Sequence, residues 1–211
     1  MITDAFLDAS TSAAALVADP AVVANWPAPS ALAEMSVGGL AAHLAGQIVG
    51  AVRAMQAPNV KDAEEVTLME HYARVRWLGA DLDHETNVAI RTGSESTAEG
   101  GAARVASAAS EALTVLSDHL RDQPSDLRVR MPAGPWSLTL DDFLVTRMME
   151  IMVHSDDLAA SVAIPTPELA ESVAAPVLDL LVRLSVRRHG QTAVVRALSR
   201  AERAPETISA F

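Results

Sequence analysis

Glu150 and His154 stand in an apolar stretch, R-M-M-E-I-M-V-H-S-D-D-L-A, from Arg147 to Ala159. A carboxylate buried without a partner is costly or gives up its charge, so something must compensate Glu150. Four residues apart on a helix, both side chains leave the same face. A second histidine, His43, sits in L-A-A-H-L-A-G among small apolar residues, with Gln47 one turn further along the same face. One carboxylate and two imidazoles converging from facing helices make a three-ligand divalent metal site. Zinc is the expected ion, and nickel and ferrous iron also accept this set. Such an ion would offset the charge of Glu150, and three protein ligands leave positions open, as in catalytic sites. The same residues also permit a plainer arrangement. Glu150 can pair with His154 or with Arg147 one turn away, leaving His43 as a satisfied core histidine.

The remaining histidines carry weaker signals. His71 and His84 lie among charges on what reads as an outer helix. His119 ends a helix and His189 sits in R-R-H-G, both ordinary partners of a helix C-terminus.

Composition narrows the function classes. The 211 residues suffice for one well-buried core. Half are hydrophobic yet only 3% are aromatic, so Ala, Val, Leu and Met must fill the interior, which favours close-packed helices. A net charge of −11 argues against nucleic-acid phosphate or an anionic membrane as partner. There is no cysteine, which removes disulfides, thiolate ligands and a cysteine nucleophile; any thiol must come from outside. The acidic start, M-I-T-D-A-F-L-D, is unlike a signal peptide, and no apolar stretch reaches spanning length, so a cytoplasmic protein is expected.

The elements that must position these residues follow from periodicity and punctuation. A first helix is expected from Thr3 to about Asp19, and N-W-P-A-P-S (Asn25–Ser30) as an extended connection. A buried, glycine-rich second helix should start at Ser36, a plausible N-cap, and stop at Ala57-Pro58. A third, outer helical stretch is expected over Lys61–Ile90, a loop over Arg91–Gly101, and a fourth helix ending near Arg121. Gln123–Ser137 should hold a short strand-like R-V-R-M piece. The fifth helix, about Thr139–Val162, carries Glu150 and His154; a last one, Glu168 to about Arg188, precedes a short helical tail. The economical architecture is one all-α domain over 1–211, with four antiparallel helices in a core of about 3–163 and a helical extension over 168–207. Its small-residue helix faces would also suit a homodimer.

Two blocks resemble the DinB-like metal-binding bundles and, within them, the mycothiol-dependent maleylpyruvate isomerase N-terminal domain family. W-P-A-P-S-A-L-A-E-M-S-V-G-G-L-A-A-H-L-A-G (Trp26–Gly46) is similar to the family's proline-containing loop and following A-H-L-A helix. Arg147–Ala159 is similar to its R-x-x-E-x-x-x-H-x-x-D-L-A. Gly39 stands where the family has an acid, and Asp156 where it has tryptophan. The resemblance implies a DinB-like four-helix bundle with additional flanking helices and the ligand set His43, Glu150 and His154. It places Asp157 on the family's aspartate, expected to orient a ligand or cap local backbone. It further implies a metal-dependent thiol transferase or isomerase acting on small electrophiles. The co-substrate would be a low-molecular-weight thiol, mycothiol, with Gln47 free to hydrogen-bond substrate or a water on the metal. A non-catalytic metal- or ligand-binding bundle, serving as sensor or stress-response protein, is the alternative. The residues after the fifth helix are expected to be too few for the C-terminal α/β domain of the full isomerases.

Overall fold

The computed structural model describes residues 1–57, 60, 62–124 and 126–211. Helix α1 (Ile2–Val17) buries Ala5, Phe6, Ala9, Ala13, Leu16 and Val17, the face its periodicity marks. Asp19 then caps a short helix, α2 (Pro20–Ala24), by accepting from the Ala21 N–H at 2.7 Å, with Pro20 in the first helical position where its missing N–H costs nothing. The connection after it is a turn over 25–27 rather than an extended run, and only Pro29 makes a bridge, to Ser36.

Ser36 caps α3 (Val37–Gln56), its hydroxyl accepting from the Gly39 N–H at 2.9 Å. The Trp26 indole lies so close to Gly38 that a Cβ there would sit 2.6 Å from ring atoms, and its Nε1 donates to the Ala98 carbonyl at 3.2 Å. This contact fixes the proline loop against the start of α3. Pro58, expected to help stop that helix, lies outside the described residues.

The long outer helix expected over Lys61–Ile90 is replaced by shorter pieces. Lys61 itself lies outside the described residues, and the chain then forms β1 (Glu64–Glu65), α4 (Leu68–Arg74) and α5 (Glu85–Ala98). Local caps explain the breaks. The Thr67 hydroxyl accepts from the Glu70 N–H while the Glu70 carboxylate accepts from the Thr67 N–H at 2.8 Å. His84 opens α5 by accepting from the Thr86 N–H through Nδ1. The loop expected over Arg91–Gly101 is helical as far as Ala98, because Ser94 and Ala98 are buried where α5 packs on α3. Gly101, at φ +83°, makes the turn into α6 (Ala102–His119), which a 3-10 turn extends to Asp122.

The R-V-R-M piece is β2 (Arg128–Arg130), antiparallel to β3 (Trp136–Thr139) with Val129 opposite Leu138; β1 joins β3 in parallel, giving the order β1-β3-β2. The molecule is thus mostly helical with a small sheet, a broad fit to the expected all-α class. Thr139 ends β3 and caps α7 (Leu140–Ser161) through the Asp142 N–H, so the sheet fixes where α7 starts. Helix α8 (Glu171–His189) packs on α7 and α1, and α9 (Gln191–Ser199) on α8. Helices α1, α3, α6 and α7 pack on one another around Phe6, Leu40, Leu44, Ile48, Leu116, Leu144, Met148 and Ile151, all fully buried. Each such side chain contributes about 1.5–3 kcal/mol of burial. Among the described residues no helix is long and apolar enough to cross a membrane.

Candidate functional site

Helix α3 presents His43 and α7 presents Glu150 and His154, and the three meet. One ligand atom from each lies within 4.8 Å of the others. The Glu150 Oε2 is 3.2 Å from His154 Nε2 and 3.5 Å from His43 Nε2, and the two rings stand edge to face with centroids 4.8 Å apart. Their side chains keep 14–19% of their surface exposed, which opens on a cavity of about 720 Å³. The donor set and this access fit a divalent cation.

The outer nitrogens of both rings are occupied. Asp157, one turn beyond His154, holds its Nδ1 at 3.0 Å. The Ser94 hydroxyl donates to the Ile90 carbonyl at 2.8 Å, so it can only accept from His43 Nδ1, 3.4 Å away. Each imidazole is therefore oriented from behind with Nε2 turned to the cluster, the usual support of a metal-binding histidine. Sequence reasoning misses Ser94, because the Gly-, Ser- and Thr-rich run around it reads as a loop.

Burial pushes the Glu150 carboxyl up, but hydrogen bonds from His154 and His43 and the nearby Arg147 charge outweigh it. The net result lies well below the usual carboxylate range. His154 is likewise opposed by burial, yet the carboxylates of Asp157 and Glu150 raise it to about 9. The acid at position 150 is an anion, ready to meet a cation.

Arg147 does not pair with Glu150. Its Nη1 donates to Gln47 Oε1 at 2.7 Å and its Nε to Thr146 Oγ1 at 3.1 Å. Among the described residues no carboxylate lies within 4.0 Å of its guanidinium. Gln47 accepts that bond through Oε1, and its amide nitrogen donates to the His43 carbonyl at 3.1 Å and lies 3.3 Å from His43 Nε2. It links Arg147 to the backbone of the histidine helix.

Gly39, at the start of α3, leaves its Cβ space to the carboxylate of Glu95, which reaches across from α5. That carboxylate accepts from the Ser36 N–H at 2.7 Å and from the Ser36 hydroxyl at 2.8 Å. An acid does sit at the N-terminus of the histidine helix, where the dipole favours one, but α5 supplies it.

His71 departs most from its sequence reading. It is 3% exposed, lines the same cavity, and accepts a hydrogen bond from Trp136 Nε1 at 3.0 Å. The adjacent Tyr72 is buried beside it. The signal for both was the aromatic neighbour at position 72, outweighed by the charges of Glu70 and Arg74. His84 and His119 serve at helix ends, and His189 Nε2 lies 2.8 Å from the Ser209 carbonyl.

Comparison with curated proteins and with solved structures found no match. A comparison with family models found the mycothiol maleylpyruvate isomerase N-terminal domain over residues 6–159. That stretch contains His43, Glu150 and His154 and most of the chain, and the chain belongs to the mycothiol maleylpyruvate isomerase N-terminal domain family.

Proposed function

We propose that His43, Glu150 and His154 hold one divalent cation, zinc by preference, and that the chain is a metal-dependent thiol transferase or isomerase. Mycothiol is its co-substrate and a small electrophile its substrate. On this reading α1, α3, α6 and α7 form a DinB-like four-helix bundle within a single domain, with α8 and α9 as its extension. The observation that carries the proposal is the convergence of three donors within 4.8 Å at the edge of a large cavity, in a chain with no cysteine of its own.

A cation held there supplies the charge that keeps a bound thiol deprotonated at neutral pH. The chain does the rest. Asp157 and Ser94 fix the two rings, so little reorganisation is needed on loading. Gln47 and Thr146 hold Arg147 at the cavity without neutralising it, which leaves its charge available to an anionic group of thiol or electrophile. Gln47 acts here by positioning. The apolar remainder of the cavity excludes water from the reacting groups.

The test is thiol consumption. Metal-loaded protein incubated with mycothiol and a panel of electrophiles should consume the thiol faster than the uncatalysed mixture, and chelation or His154→Ala should abolish the difference. Metal-loaded protein that neither binds nor consumes mycothiol would end the transferase reading and leave a metal-binding domain.

A further inference from the structure

The cavity has a second polar feature outside the acid–imidazole cluster, on α4. Trp136 Nε1 donates to His71 Nδ1 at 3.0 Å. An indole N–H can only donate, so Nδ1 must offer its lone pair and the proton of the neutral ring must sit on Nε2. That Nε2–H has no partner among the described residues. It is not sealed either: the buried side-chain polar atoms left without a partner there are Ser10 Oγ and Ser155 Oγ. The same holds for the Tyr72 hydroxyl, whose ring stands edge-on to His71 with centroids 5.0 Å apart.

Two donors, 3% and 2% exposed by residue, thus line one cavity unpaired. Leaving such groups unsatisfied is costly, and a ligand that satisfies both gains what a wrong ligand forfeits. Burial keeps both neutral. It pushes the His71 ring down to about 4, helped by the Arg147 charge, and pushes the Tyr72 phenol up. Val75, Trp77, Ile90 and Met131 contribute apolar wall to the same cavity, and the charges of Arg147 and Glu150, which oppose one another, reach both groups from its other side. Two neutral donors beside an apolar stretch of wall match an uncharged acceptor with two lone pairs.

We propose that His71 Nε2–H and the Tyr72 hydroxyl together bind the carbonyl oxygen of an uncharged small molecule whose apolar body lies against Val75, Trp77, Ile90 and Met131. This deepens the thiol-transfer reading, because a carbonyl makes its own carbon, or the β-carbon of a conjugated alkene, open to attack by a thiolate. It rests on that reading only for the ligand being the substrate.

Nuclear magnetic resonance on ¹⁵N-labelled protein tests it with cyclohexanone, an apolar ring bearing one carbonyl. The His71 ring should hold its proton on Nε2 from about pH 5.5 to 8, as its buried neutral form requires. Trp136→Phe should release that tautomer to a mixture. Cyclohexanone should shift the Nε2 resonance saturably, and Tyr72→Phe, which removes one oxygen and keeps the ring, should weaken binding about tenfold. The proposal is overturned by a ring protonated on Nδ1 or charged near neutrality, or by cyclohexanone that fails to bind or binds without moving the ring. Undiminished affinity in Tyr72→Phe overturns it too. No thiol or cation enters these measurements, so failure of the transferase reading leaves their outcome unchanged.

Discussion

Two histidines face one cavity from environments that push them in opposite directions. His154, on α7, loses solvation by burial but gains Asp157 at 3.0 Å and Glu150 at 3.2 Å, and ends near 9. His71, on α4, has only an indole N–H on its Nδ1, and burial with the Arg147 charge carries it to about 4. Burial lowers both rings, so the nearby carboxylates decide the difference. One wall of the cavity sets carboxylates around its imidazole, and the other leaves its imidazole neutral. On the proposed function the first wall holds a cation and the second an uncharged group.

The largest effect should come from breaking the charged wall. Glu150→Gln leaves the imidazoles of His154 and His43 without the carboxylate they share, and urea denaturation of the metal-free protein should show a loss of about 4 kcal/mol. An unchanged midpoint would mean the cluster is not electrostatically coupled.

The neutral wall should reveal itself through pH. Between pH 6.5 and 4 the unfolded chain binds a proton at residue 71 that the folded ring refuses, so the folded state loses stability as pH falls through this window. The stability at stake is about 3 kcal/mol, present in full above pH 6.5 and lost below about 4. His71→Phe should flatten this part of the stability curve; an equally steep curve in the variant would assign the loss to other groups.

Weakening the support behind the charged wall should cost less. Asp157→Asn should reduce zinc affinity about 10- to 100-fold in a chelator competition, because it loosens the ring and lowers its basicity. Ser94→Ala should be smallest, about 0.5–1 kcal/mol in the same assay. If the order of these two reverses, the bond at 3.0 Å is not the stronger restraint it resembles beside the one at 3.4 Å.

These differences also explain what the sequence reveals and what it hides. The juxtaposition of Glu150, His154 and His43 is legible because polar residues at helical spacing in apolar surroundings stand out, and because Ser36 and Thr139 cap the helices that carry them. Residues 61–101 are not legible in the same way. Their polar text hides two caps, at Thr67 and His84, and the helix α5 is stabilised by packing Ser94 and Ala98 on α3, a tertiary contact that local propensity does not contain. His71 is lost for the same reason. Its inward orientation depends on Trp136, sixty-five residues away on a strand.

If His43, Glu150 and His154 share one cation, the metal content of the protein reports it. Untagged protein, dialysed and analysed by elemental mass spectrometry, should carry about one divalent ion per chain, with almost none in the double variant His43→Ala/His154→Ala. A wild-type protein that takes up no divalent ion when zinc is supplied, or a double variant that keeps its full content, would mean that these three residues hold no shared ion.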